Sequence, residues 1–357
     1  MNSLAAIPSP TTAAWPLGPL TLRAYALCII VGILVACWIT ERRMRNRGAT
    51  PYLVLDIAIW AVPGGIIGAR IYSLITSPGE YFGKGLSPWE PLEIWHGGLG
   101  IWGAVAGGVL GAWIASRNRG IPLTFVMDAA APALPIAQAI GRWGNWFNNE
   151  LYGRPTSLPW GVEIHQMDSS NPGHALVMEG QPVVLGTYQP TFLYESVWDI
   201  GVAVLVWLLD RRYRFGKGRA FALYVMAYTF GRFWVELLRV DPANHFLGMR
   251  VNDWVSILVF VAALLYLLLV RGPQERLEVT ESGKLRVVAA PGSGTDAGTD
   301  ASEKSTTSTA SGSTADDDSG GDGESGTAAA DTGEDELDDA GEGTKESQPK
   351  LRSSAET

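Results

Sequence analysis

Residues 254–270 read WVSILVFVAALLYLLLV, seventeen positions without one charged side chain. At 1.5 Å per residue such a run makes a helix of about 25 Å, close to the thickness of a bilayer's hydrocarbon core. With its flanks it gives a span at 252–271. Working outward from it, six further apolar stretches fall near 20–40, 53–76, 97–115, 121–141, 190–209 and 220–238. Seven spans are expected, with six as the alternative count; the stretch at 121–141, interrupted by Pro132 and Pro135, is the least lipid-like. All 14 Trp and both cysteines lie in the first 290 residues of the 357. A soluble enzyme, a collagen and a disulfide scaffold are excluded. Cys28 and Cys37, nine residues apart on one expected helix, are about 13 Å apart along its axis, too far for a mutual disulfide.

The remainder is different in kind. Residues 291–357 hold 17 Asp or Glu against 4 Lys or Arg and no aromatic residue, so their net charge of −13 exceeds the whole chain's −9. A segment of Gly, Ala, Ser, Thr and acids cannot bury enough apolar surface to offset its ordering entropy, and disorder is expected there. The first 290 residues are therefore basic. Positive side chains in short loops are retained on the cytoplasmic side. With the loop after span one inside, the inner segments hold thirteen Lys or Arg and the outer segments five. The expected architecture is all-α: a polytopic membrane protein of about seven transmembrane helices, N-terminus outside and C-terminus cytoplasmic, with a disordered acidic tail. Residues 1–19 form an outside segment, 20–275 a transmembrane domain with an outer loop at 142–189, and 276–357 a cytoplasmic low-complexity tail. The N-terminus lacks the basic region of a cleavable signal peptide, so span one is expected to be retained.

Ionisable groups inside apolar spans are costly and mark functional sites. Arg23 opens span one beside Tyr25, Arg70 follows GGIIGA near the outer end of span two, and Arg232 and Glu236 stand one helical turn apart in span six. The densest polar cluster is GRWGNWFNNELYGR at 141–154, on the outer edge of span four. It carries Arg142, Asn145, Asn148, Asn149 and Glu150 among glycines, including Gly153, that allow close backbone approach to a ligand. An interfacial anchor would need its aromatics but not three amides and a carboxylate beside an arginine, and a guanidinium suits phosphate. His96, in WHGGLG at the outer start of span three, is the one histidine bordering a span on that side, where it can act as a proton acceptor near neutral pH. His165, His174 and His245 lack the spacing of a metal site, and no metal is expected.

GRWGNWFNNELYG resembles the signature of the bacterial prolipoprotein diacylglyceryl transferase family, Gly-Arg-x-Gly-Asn-Phe-x-Asn-x-Glu-x-x-Gly, with Trp146 in place of the Phe. Arg23 with Tyr25, the GAR of 68–70, the His96-Gly97-Gly98 turn and Arg232-Phe233 with Glu236 follow the family in the same order. YQPTFLYE at 188–195 is similar to the family's His-Pro-Thr segment, with Gln189 where His is common. The likeness covers residues 20–271. It implies transfer of the sn-1,2-diacylglyceryl group of phosphatidylglycerol to the lipobox cysteine of a prolipoprotein in a bacterial cytoplasmic membrane, giving a thioether and glycerol phosphate. The implied partners are phosphatidylglycerol, prolipoprotein signal peptides and membrane lipids, with no nucleic acid and no cofactor.

In that reading Arg142 and Arg232 hold the phosphate, and Glu236 and Glu150 orient the arginines. Asn145, Asn148 and Tyr25 bond the headgroup, and Gly153 and Arg70 complete the lipid site. The attacking thiol is mostly protonated at neutral pH, which makes His96 the candidate base; a site of two arginines could also stabilise the thiolate unaided. A transporter is the competing class, since charged residues and Pro or Gly breaks can line a solute path. Against it, no repeated halves are found and the polar residues gather at one end. A membrane scaffold recruiting through its tail is the third.

Overall fold

The computed structural model describes residues 6–18, 20–82, 87–93, 97–239, 245–280 and 285–290. Among them are eight α-helices: α1 Ala24–Asn46, α2 Leu53–Thr76, α3 Ile101–Asn118, α4 Leu123–Ala130, α5 Ala133–Asn148, α6 Thr191–Tyr213, α7 Arg219–Leu238 and α8 Val251–Leu269. Each of the seven expected stretches contains a helix. Four helices (α1, α2, α6 and α8) are long and apolar enough to cross a bilayer, and the bent pair α4–α5 makes five. In α3 four glycines and Arg117 dilute the apolar signal, and in α7 Arg219, Arg232 and Glu236 do the same. Large apolar side chains point outward along α2 and α8, among them Ile59, Ile67, Leu258 and Leu269. In water such a surface would be an aggregation liability; against lipid tails it costs nothing.

The fourth stretch is broken where the prolines stand. α4 and α5 meet at an angle of 54°. Pro132 has no N–H to continue the ladder, and the last carbonyls of α4 would be orphaned. Arg43 of α1 takes them: its Nε donates to the Ala129 carbonyl at 2.9 Å and its Nη2 to the Asp128 carbonyl at 3.2 Å.

α2 and α3 pack through glycine. Gly64 and Gly68 face Gly103 and Gly107 at four-residue spacing, and a Cβ on any of them would overlap a carbonyl of the opposite helix. Without a hydrophobic drive between helices in lipid, such close backbone approach is what gives dispersion and polar contacts their grip.

The helices run between two ends. At one, Arg43 reaches α4 and α6, the Gly218 amide before α7 donates to Asp128 at 2.8 Å, and Tyr266 of α8 donates to the Lys217 carbonyl at 2.6 Å. At the other, the end of α5, the start of α6, the end of α7 and the start of α8 converge through Arg142, Glu195, Arg232, Glu236 and Arg250.

The fold is mostly helical, as expected, and the described residues also form five two-stranded antiparallel sheets that the sequence reading did not include. β1 Ala14–Leu17 pairs with β2 Leu20–Arg23, directly ahead of α1, and β7 His245–Phe246 pairs with β8 Met249–Arg250 between α7 and α8. Between α5 and α6, β3 Val162–His165 pairs with β6 Val184–Tyr188, and β4 Val177–Met178 with β5 Gln181–Pro182. These pieces lie outside the apolar stretches, where β-branched residues alternate with polar ones and the backbone can find partners only across strands. A last hairpin, β9 Glu275–Val279 with β10 Leu285–Ala289, lies in what the sequence reading gave to the tail. Leu277 is buried against Met44, Leu53, Ile57 and Phe125, and its amide donates to the Arg47 carbonyl at 2.8 Å. The acidic segment 291–357 lies outside the described residues.

Candidate functional site

The signature segment is not a loop at its start. α5 continues to Asn148, so Arg142, Asn145 and Asn148 recur at helical spacing along one face, and the chain leaves the helix at Asn149, whose φ of 53° is left-handed. Asn149 is a joint. Its Oδ1 accepts from the Ser9 hydroxyl and from the His165 amide, the latter at 2.9 Å, and its Nδ2 donates to the Pro10 carbonyl at 2.9 Å, tying the N-terminal segment to β3. Asn145 and Asn148 turn instead to Glu150, donating to its Oε1 at 3.0 and 3.2 Å. Glu150, expected to orient an arginine, is thus held by two amides.

The two arginines do come together, and the group between them is a carboxylate. Glu195, in the second turn of α6, takes Arg142 Nε on Oε2 at 2.7 Å and Arg232 Nη1 on Oε1 at 2.7 Å. Arg232 reaches on with Nη2 to Glu236 Oε2 at 2.7 Å. Glu236 is 1% exposed and also receives Arg250 Nε at 3.2 Å and Asn252 Nδ2 at 3.1 Å on Oε1. Three helices and the start of a fourth are joined in one chain of charge-assisted contacts, which are shorter and stronger than neutral ones. Like charges this close would repel strongly away from bulk water, and Glu195 offsets that repulsion in the resting protein.

A cavity opens beside this chain, lined by Arg142, Glu195, Trp198, Asp199, Tyr228, Gly231, Arg232 and Val235. Asp199 is 2% exposed, and its Oδ2 has no hydrogen-bond partner among the described residues. Among those residues Arg142 pairs with Glu195 through Nε.

The other expected residues fall around this centre unevenly. Tyr25, in the first turn of α1, lays its ring over Gly144, where any Cβ would collide with it; this places the phenol beside the face that carries Arg142 and Asn145. Gly153 is a close-approach residue: its amide donates to the Gln189 carbonyl at 2.9 Å, it bridges to Arg239, and a Cβ would press on Gln189. It locks the segment after α5 onto the entry to α6 and the exit from α7. Arg70 is not drawn to α5. It is 5% exposed, donates to the carbonyls of Pro91, Glu93 and Gly97 at 2.8, 3.2 and 2.7 Å, and lies 4.4 Å from the centre of the Tyr81 ring. It therefore joins the chain at Pro91 and Glu93 to Gly97; His96 lies outside the described residues. Arg23, ahead of α1, is exposed. No group of three metal-ligating side chains occurs among the described residues.

Sequence reasoning missed Glu195, Asp199, Arg250 and Asn252. Glu195 ends the YQPTFLYE segment, and an acid inside an apolar span was signal enough to mark it beside Arg232.

Fold and site together define a polytopic helical membrane protein with an arginine-rich polar centre where its helix ends converge. Residues 12–269 match the family model described as prolipoprotein diacylglyceryl transferase. The chain belongs to that family. It is similar to a phosphatidylglycerol–prolipoprotein diacylglyceryl transferase of Paenarthrobacter aurescens, 54% identical over 276 residues, which cover 77% of this chain and 87% of the relative. A Frankia alni relative of the same name is 56% identical over 269 residues (75% and 68%), and one from Streptomyces coelicolor 51% over 294 (82% of each).

Proposed function

We propose that this chain is a phosphatidylglycerol–prolipoprotein diacylglyceryl transferase, acting in bacterial lipoprotein maturation. Family membership carries this reading over a transporter or scaffold. The observation that supports its mechanism is the pair of arginines from α5 and α7 held by one glutamate beside a cavity.

In the proposed reaction the lipobox thiolate attacks the glyceryl carbon that bears the phosphate of phosphatidylglycerol. A C–S bond forms, the C–O bond to phosphate breaks, and glycerol phosphate leaves with the bonding pair. Charge grows on the phosphate oxygens as that bond breaks, and donors already aimed there stabilise the transition state by several kcal/mol in a water-poor site. Arg142 supplies its Nη groups and Arg232 completes the clamp, with Glu195 and Glu236 fixing both planes before substrate arrives. Asn145, Asn148, Glu150 and Tyr25 stand on the same side for the glycerol hydroxyls. Gly153 acts by packing, and Arg70 by fixing Pro91, Glu93 and Gly97. His96 accepts the thiol proton.

Seven bilayer crossings follow if α3, α7 and the broken α4–α5 each count as one. The end that gathers Arg43, Arg47, Arg211 and Arg214 then faces the cytoplasm and the Arg142 end faces outward, in a multi-pass protein of the cytoplasmic membrane. The N-terminal segment lies outside, and the acidic residues 291–357 are cytoplasmic. A lipobox peptide incubated with purified protein and phosphatidylglycerol should gain the mass of one diacylglyceryl group. A peptide of unchanged mass, under conditions where a relative modifies it, would refute the assignment.

A further inference from the structure

Residues 7–13 run as a strap across the end of α5 before the chain enters β1. The Ile7 amide donates to the Gly161 carbonyl at 2.7 Å and the Ile7 carbonyl accepts the Glu163 amide at 2.9 Å, which sets the start of the strap beside β3. Farther on, the Ala13 amide donates to the Gly173 carbonyl at 2.7 Å and the Ala175 amide to the Thr11 carbonyl at 2.8 Å. Between these anchors the strap meets α5. Trp146 Nε1 donates to the Pro8 carbonyl at 3.2 Å, and Asn149 engages Ser9 and Pro10.

The donors around Asn149 follow from the bonding. Its Oδ1 accepts the His165 backbone amide, so the Ser9 hydroxyl that faces this oxygen must donate to it. A hydroxyl has one hydrogen, so His165 Nδ1, 2.9 Å from Ser9 Oγ, is the donor of that pair. Ser9, Asn149 and His165 are all buried.

The bland explanation is that the strap only covers apolar residues beneath it. Ile7 does pack on Val162, Ile164 and Phe192. Such a cover needs no hydroxyl, amide and imidazole, whose burial costs free energy unless their hydrogen bonds are made. The polar ties meet instead on one residue of left-handed backbone, a conformation unfavourable for any residue with a Cβ. Glu150 comes next in the chain. It is exposed, so packing does not place it; the turn at Asn149 and the amides of Asn145 and Asn148 do. Past Ala13 the strap enters β1 and β2, which lead directly into α1 and Tyr25.

We infer that the strap is a positioning element for the lipid headgroup, with Ser9 and Asn149 as its positioning residues. They fix the turn that presents Glu150 and its two amides to the glycerol hydroxyls of phosphatidylglycerol; the identity of that lipid rests on the transferase reading. Without either tie the turn is freed, and the groups that meet the hydroxyls must be ordered as the lipid binds, which weakens binding.

The test uses the full chain in nanodiscs of mixed phosphatidylglycerol and phosphatidylcholine, with retained lipid read by native mass spectrometry and peptide modification measured beside it. Ser9→Ala removes the hydroxyl. Asn149→Gly removes the side chain and keeps the left-handed backbone accessible. Each should lower the preference for phosphatidylglycerol, and raise its KM, by roughly three- to tenfold, the scale of one hydrogen bond, with kcat held within about twofold. Ser9→Thr, which keeps a hydroxyl, should recover part of the loss. Ile7→Ala takes away apolar cover and leaves the ties, so it should lower the melting temperature and spare the lipid preference. Wild-type preference in both Ser9→Ala and Asn149→Gly would overturn the inference, as would an equal loss in Ile7→Ala, which would make the strap a cover alone. Because lipid retention is read apart from transfer, a wild-type protein that prefers phosphatidylglycerol but leaves the peptide unmodified would sink the transferase reading and not the strap.

Discussion

Glu195 holds the two arginines of α5 and α7 together in the protein without substrate. Removing one member of a buried ion pair strands the others, at about 3–5 kcal/mol. Glu195→Ala should therefore lower the melting temperature in detergent and reduce kcat together, while Glu195→Gln, which keeps an acceptor and the shape, should lose less. An unchanged melting temperature in Glu195→Ala would remove it from the clamp. His96 poses a separate question. If it takes the thiol proton, His96→Asn should cut turnover by about 10²-fold or more, with partial rescue at higher pH; a loss that tracks stability without rescue would make it structural. Most residues of this centre were legible in the sequence, because a charge in an apolar span and a string of amides at its edge are local signals. Their partners were not. That Asn145 and Asn148 turn to Glu150, or that Arg70 serves the loop before α3, depends on side-chain direction across elements, which spacing along one helix does not carry.

Among the elements, α2 and α3 depend on what their sequence lacks. Gly107 meets the Gly64 carbonyl so closely that any Cβ there must push the helices apart. Gly107→Val should destabilise the folded protein by about 1–3 kcal/mol or more, the cost of overpacking. Gly201→Ala in α6, where a Cβ meets nothing within 4 Å, should cost nothing. Equal stability of the two variants would contradict the close-packed interface. Helix positions were readable because runs of apolar residues stand out, and even the weak fourth stretch announced its break through Pro132 and Pro135. The short strands were not readable. Two- to five-residue pairings such as Val177–Met178 with Gln181–Pro182 have too few residues to show alternation, and they form because neighbouring backbone has nowhere else to bond.

At the scale of the molecule, the chain packs beyond α8 in the β9–β10 hairpin, whose Leu277 completes a core at the ends of α1, α2 and α4. Truncation after residue 290 should leave peptide modification nearly intact, whereas truncation after 274 should lower the melting temperature by exposing that core; a large loss of turnover in the longer, folded product would mean that the acidic segment takes part. The compositional change at 291 agrees with that end, whereas assigning 276–290 to the tail overlooked the Leu and Val of RLEV and LRVV, which pair as β9 and β10. The same long-range closure brings Arg142 and Arg232, ninety residues apart in the chain, onto one carboxylate. In the proposed mechanism they hold one phosphate as a unit. Kinetics with phosphatidylglycerol on Arg142→Ala, Arg232→Ala and the double variant test it most directly. Each single change should cost several kcal/mol of transition-state stabilisation, and the double variant little more than either. Losses that add independently, or wild-type turnover in either single variant, would contradict a shared phosphate.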